Sequence, residues 1–218
     1  LPVRPDLDQL KHQAKDLLRQ IRQGDPLALD DLKDHHPDSI DPREVKLAHA
    51  QHVLARSYGV ASWPRLVAAC RLIDAIWRDD LETVRRMVTK SPRLIKEMAR
   101  GTERCNWGPP MSYAANLGRD QIILLLHSLG ANDLDHAIGR ASLQGKIPTA
   151  RMLHDLMGRP QPPDDCLGGP AYTLSASGTA LMLELGARVL DAEGRRLAPV
   201  DVVLESDSRK PTAKHEIL

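Results

Sequence analysis

The chain of 218 residues has no phenylalanine, three tryptophans and three tyrosines. A core of Leu, Ala, Ile, Val and Met favours closely packed helices over an aromatic-rich sheet. Cysteine is scarce too. Cys70, Cys105 and Cys166 are odd in number and far apart, which reads as reduced thiols in a cytoplasmic protein and excludes a disulfide framework or a cysteine zinc site. No run of ~18 apolar residues offers a membrane span, and no signal-peptide pattern is present. The first residue is Leu1, and the chain stops at Ile217-Leu218 inside a helical pattern. It is therefore expected to be a piece of a longer protein, from which a leader could have been removed. Charge of one sign is also lacking: 30 Lys and Arg against 29 Asp and Glu leave a net charge of +1. No global pull toward nucleic acid or an anionic membrane follows.

The motifs of common chemistries are missing. There is no G-x-x-x-x-G-K-[ST], no G-x-S-x-G and no H-E-x-x-H. Gly168-Gly169 and Ser177-Gly178-Thr179 are small and flexible, but no strand precedes them, as a phosphate loop requires. His49 and His52 share a helix face and could hold a metal only with a third ligand, which is not in register, so they read as surface histidines. His35-His36 suits a helix end. Arg104 would lower the pKa of Cys105, but a nucleophile needs a positioned base and none can be named. Lys11, Lys15, Arg19 and Arg22 interleave with Asp6, Asp8 and Asp16, which makes a solvated face. No catalytic residue, metal or cofactor is assigned, and the chain is read as non-enzymatic.

What is present is helical punctuation. Leu10, Ala14, Leu17, Leu18 and Ile21 recur at helical spacing, with Asp6 or Asp8 to cap the start and Gly24 to end a helix over 7–23. Asp25 caps and Pro26 opens a second helix that Pro37 stops. A third is expected over 43–57. Ser62-Trp63-Pro64 starts another that runs unbroken to Trp77. Asp79-Asp80 opens a helix carrying Leu81, Val84, Met87 and Val88, and an extra turn is expected around 94–98. In 106–132, Pro109-Pro110 opens a short helix, Gly118 breaks it, and Ile122, Ile123, Leu125, Leu126 and Leu129 fill a second that Gly130 closes. Gly145 and Gly158 bracket a further second helix, with Pro148 in its first turn. A unit of this size cannot bury its apolar surface alone and needs neighbours of its own kind.

The stretch 106–132 resembles an ankyrin repeat. P-P-M-S-Y-A-A stands where that family has T-P-L-H-L-A-A, and L-L-L-H-S-L-G-A-N matches L-L-L-x-x-G-A-D. The stretch 72–92 is similar, with Asp79 at the usual glycine site, and Asp tolerates the left-handed region better than most residues. Copies of decreasing quality follow at 134–158, at 169–187 and from 191 on. Gly130, Gly158 and Gly186 are 28 apart, against a family period of ~33, so the loops are trimmed. The stretch 46–66 resembles the segment that precedes the repeats in a group of bacterial ankyrin proteins. The resemblance implies an all-α, ankyrin-like solenoid of stacked helix–turn–helix units over 72–218 and a helical N-terminal extension over 1–71.

In that family, partner proteins bind the turn tips and the residues before the mid-repeat glycine. Here those positions are Trp77 and Arg78, Asn116 and Leu117, Leu143 and Gln144, and Tyr172 and Thr173. The turn tip of the best repeat adds Arg104, Asn106 and Trp107. Trp, Tyr and Arg are enriched in binding hot spots, but Trp77 and Trp107 could equally cover thin spots in a core without Phe. The expected function is a non-catalytic module that binds a partner protein on this groove. The alternative is a small-ligand binder or enzyme with its site in the N-terminal extension or the 91–107 connector. Nucleic-acid binding is a weaker third reading.

Overall fold

The computed structural model describes residues 4–99 and 107–195. Among the described residues the chain is all-helical, without a strand. None of the described helices is long and apolar enough to cross a membrane. The chain divides into two compact units, Leu1–Asn106 and Trp107–Leu218. The boundary read from the sequence after residue 71 lies inside a continuous helix, Trp63–Trp77.

In the N-terminal unit, α1 (Leu7–Gln23) starts where the Asp6 carboxylate accepts from the N–H groups of Asp8 and Gln9, and ends at the left-handed Gly24. α2 (Pro26–His35) begins with proline in its first turn and Asp25 accepting from the Ala28 N–H. Each cap satisfies donors that a helix start leaves unpaired. α3 (Leu47–Ser57) starts four residues later than the periodicity implies. The reason is tertiary: Val45 is buried, and its carbonyl accepts a 2.9 Å hydrogen bond from Arg22 Nη2. That pins the segment before the helix onto α1. Leu17, Ile21, Ala28, Leu32, Val45, Ala50 and Val53 form one core among these three helices.

α4 (Trp63–Trp77) packs on α3 and on α5 (Leu81–Lys90), and a 3₁₀ turn follows at Pro92–Lys96. Asp79 between α4 and α5 has φ of 58°, in the left-handed region that Asp tolerates better than most residues. Arg65 grips Glu97 at 2.6 and 2.8 Å, and Glu97 is only 8% exposed. This bond ties the turn to α4.

The C-terminal unit consists of helix pairs. α6 (Pro110–Leu117) and α7 (Asp120–Ser128) are joined through Gly118, and α8 (Leu134–Leu143) and α9 (Ile147–Leu156) through Gly145. α10 (Gly168–Tyr172) and α11 (Ala176–Glu184) are joined through Leu174, which has φ of 54°. A branched side chain there is strained, where glycine would not be. α8 is the hub, packing against α6, α9, α10 and α11. The core is aliphatic: Met111, Ala114, Ile122, Ile123, Leu126, Ala137, Ala141 and Leu153 are all buried.

Candidate functional site

The ends of α6, α8 and α10 lie side by side. Arg140 Nε on α8 donates to Asn116 Oδ1 on α6 at 2.9 Å. Thr173 Oγ1, just past α10, donates to the Leu143 carbonyl on α8 at 2.8 Å. Four sequence-predicted residues, Asn116, Leu143, Tyr172 and Thr173, therefore belong to one row, with Leu117 and Gln144 beside them in the chain. Their environments differ. Tyr172 is 72% exposed and Gln144 is exposed, while Leu117, Leu143 and Thr173 are half-buried.

Asn116 is 3% exposed. Its Nδ2 donates to the Ser112 carbonyl at 2.9 Å, and its oxygen holds Arg140. The side chain therefore supports the row from beneath and offers nothing to a partner. Trp107 is half-buried, its ring 5.1 Å from that of Tyr113, and the Arg140 guanidinium lies 5.4 Å from its centroid. A desolvated cation over an indole face gains about 2 kcal/mol. Arg140 itself is 7% exposed, so the indole and the Asn116 amide stand in for water around it.

Trp77 and Arg78 belong to the N-terminal unit. Trp77 is half-buried at the end of α4, and Arg78 is exposed and pairs with Asp74 at 3.2 Å. Arg104, Asn106 and Cys105 lie outside the described residues.

Ser112, Asp133 and His136 meet behind the row. Ser112 Oγ donates to Asp133 Oδ2 at 2.5 Å, and the Ser112 N–H reaches the same oxygen at 3.2 Å. His136 Nδ1 is 2.9 Å from Ser112 Oγ. The hydroxyl proton is committed to the carboxylate, so Nδ1 must carry the proton on the imidazole. His136 is held below the usual histidine pKa by burial and then by Arg140, against the pull of Asp133. The order is unsuited to nucleophilic catalysis, which needs the imidazole between carboxylate and hydroxyl. Here the serine stands between the other two and is fully buried. The trio fastens α8 to α6.

Beside the row, α8 borders a cavity of about 510 Å³. Asp135, Gly139 and Leu143 line it at helical spacing, and His136 and Arg140 stand at the same wall. Met157, Met182 and the proline-rich segment 160–163 are also part of the lining. The His154 ring meets the Pro160 carbonyl at 2.9 Å, which fixes where that segment leaves α9. A Cβ built on Gly139 meets nothing within 4 Å. The volume falls within the ~300–1,000 Å³ of small-molecule and side-chain pockets.

No family model matches the chain, and no curated protein matches it.

The sequence reading missed Arg140, His136 and the proline wall. A usable signal existed for Arg140: it follows Gly139 and precedes Ala141, small neighbours that let a long side chain lie inward. Other features are less informative. Among the described residues, no group of three or more His, Cys, Asp or Glu could hold a metal ion. The rings of His49 and His52 both face that of His36, at centroid distances of 5.4 and 5.6 Å.

Proposed function

We propose that the chain is a non-catalytic protein-interaction module, an ankyrin-like solenoid from about residue 72, whose C-terminal unit holds a segment of a partner protein. The observation that carries this reading is the cavity beside α8. Its walls are mostly apolar, and it adjoins the row that presents Leu143, Gln144 and Tyr172. An apolar side chain of the partner enters between Gly139, Met157 and the prolines. Tyr172, a rigid and amphipathic anchor, covers the segment at the rim. At the α8 wall, His136, with its proton on Nδ1, offers Nε2 as an acceptor. The alternation of helix, left-handed residue and helix, with α8 packed between α6 and α10, supports the ankyrin-like part of the reading.

Affinity capture tests it with three baits: the unaltered chain, Gly139→Trp and Tyr172→Ala. Gly139→Trp fills the cavity from a position with free space, and Tyr172→Ala removes an exposed ring, so both variants keep their circular dichroism. A protein held by the unaltered chain and lost from both variants is the expected result. Equal retention by all three places the contact elsewhere and sinks the reading.

A further inference from the structure

In the N-terminal unit a recess of about 780 Å³ lies where the start of α1 meets α4 and α5. Four guanidiniums line it, from Arg4, Arg71, Arg78 and Arg86, against two carboxylates, Asp6 and Asp74. The carboxylates are already engaged. Asp74 Oδ1 takes both Arg4 Nε and Nη2, at 3.1 and 2.7 Å, and Asp74 Oδ2 takes Arg78 Nε at 3.2 Å. Asp6 Oδ1 accepts the N–H groups of Asp8 and Gln9 and so serves the start of α1.

Arg71 and Arg86 remain. Arg86 has a long 3.4 Å bond to the neutral Thr83 hydroxyl. Among the described residues, no carboxylate pairs with Arg71 or Arg86. Arg71, Asp74 and Arg78 share one stripe of α4 by their spacing of three and four, and Arg86 stands across from them on α5. The Asp80 carboxyl, held below its usual range first by its hydrogen bonds to Thr83, is lowered further by both Arg78 and Arg86. Those two guanidiniums thus act on common ground.

The lining therefore carries two more positive than negative charges. Its floor is neutral: Leu7, Met87 and Cys70, whose thiol is pushed up to about 12 by burial. A phosphate ester carries about −1.5 to −2 at neutral pH and three strong acceptor oxygens, and guanidinium forks match those oxygens in bidentate fashion. Among the described residues no aromatic ring lines the recess, so they offer no platform for stacking nucleic-acid bases. We infer that this recess binds a compact phosphate dianion, the phosphoryl group of a small phosphorylated molecule, through Arg71, Arg78 and Arg86. Asp74, also at the lining, holds Arg78 by its Nε, and the apolar floor takes the organic body.

Isothermal titration calorimetry of the full chain with phenyl phosphate tests this, with Arg71→Gln, Arg86→Gln and Arg151→Gln as variants. Saturable binding at one site is expected. Each of the first two substitutions weakens it by about tenfold or more, and Arg151→Gln, in the other unit, leaves it unchanged. The two recess arginines are exposed, so the variants keep the thermal midpoint of the unaltered chain. A short oligothymidine separates the two sources of phosphate and is expected not to compete. Absence of saturable binding, equal binding by all variants, or tighter binding of the oligothymidine would each overturn the inference.

Discussion

A methyl group at Gly178 would stand 2.2 Å from the carbonyl oxygen of Ser142. The first turn of α11 thus rides directly on the last turn of α8, with the Ser175 hydroxyl donating to the same carbonyl at 3.3 Å. Neither backbone can yield without moving a helix. Gly178→Ala is expected to destabilise the C-terminal unit by about 1–3 kcal/mol, the cost of overpacking. Gly139→Ala, at an exposed position of α8 with open space around it, is expected to raise stability by about 0.5–1 kcal/mol through helix propensity. Urea unfolding of the two variants checks the opposite signs; two shifts in the same direction would refute the packing described.

Asn116 is expected to behave as a structural residue. Asn116→Ala removes the oxygen that holds the Arg140 Nε–H, leaving a buried charged donor short of a partner at a cost of about 1–3 kcal/mol. Trp107, against which Arg140 lies, should report the change as a shift in fluorescence. Loss of partner capture without loss of stability would mark Asn116 as a contact residue instead.

Acid is expected to weaken both units. His52 sits below the ordinary histidine value of 6.5 through burial and then through His36, Arg56 and His49. His136 is lowered from the same value by burial and Arg140. A folded pKa below the unfolded one means that the unfolded chain binds more protons, so stability rises with pH in that window. Their contribution is complete above about 6.5 and falls away below it. The urea midpoint should decline from pH 7.5 to 5.5, and more shallowly in His52→Gln. A midpoint that rises on acidification contradicts the assignment.

The two described cysteines are expected to be sluggish nucleophiles. Burial pushes Cys70 up to about 12, and burial with Asp165 pushes Cys166 up to about 11. At pH 8 the thiolate share at Cys166 is about one in a thousand, so alkylation should run about a hundredfold slower than at a free thiol. Peptide-level mass spectrometry after iodoacetamide treatment distinguishes the sites. Rapid labelling of Cys166 would show that the segment around it opens.

Local chemistry made much of the fold legible. Asp6 and Gly24 bracket α1, Pro64 and Trp77 bracket α4, and Asp79, a residue type that tolerates it, adopts the left-handed conformation. These features depend on residues within one or two turns. The late start of α3 depends on Arg22 reaching Val45, 23 residues away, and no local pattern encodes that. Leu174 in a left-handed turn is likewise a tertiary imposition, held by Thr173 on Leu143. The site was legible only in part. Leu143, Tyr172 and Thr173 are named from the resemblance alone, and which of them is exposed depends on packing. The cavity arises from how 159–167 folds back over α8, and the arginine recess joins residues more than 60 apart in sequence.

The pairing of α1 with α2 and α3, and of α6 with α7 and α8, has a bearing on synthesis. Most helices find their main partners one or two elements away in the chain; α11 reaches back three, to α8. The loops to be closed are short, and their entropic cost grows only slowly with length. Mostly local contacts favour fast folding. Each helix can therefore dock soon after its neighbour leaves the ribosome, so little apolar surface waits uncovered for aggregation.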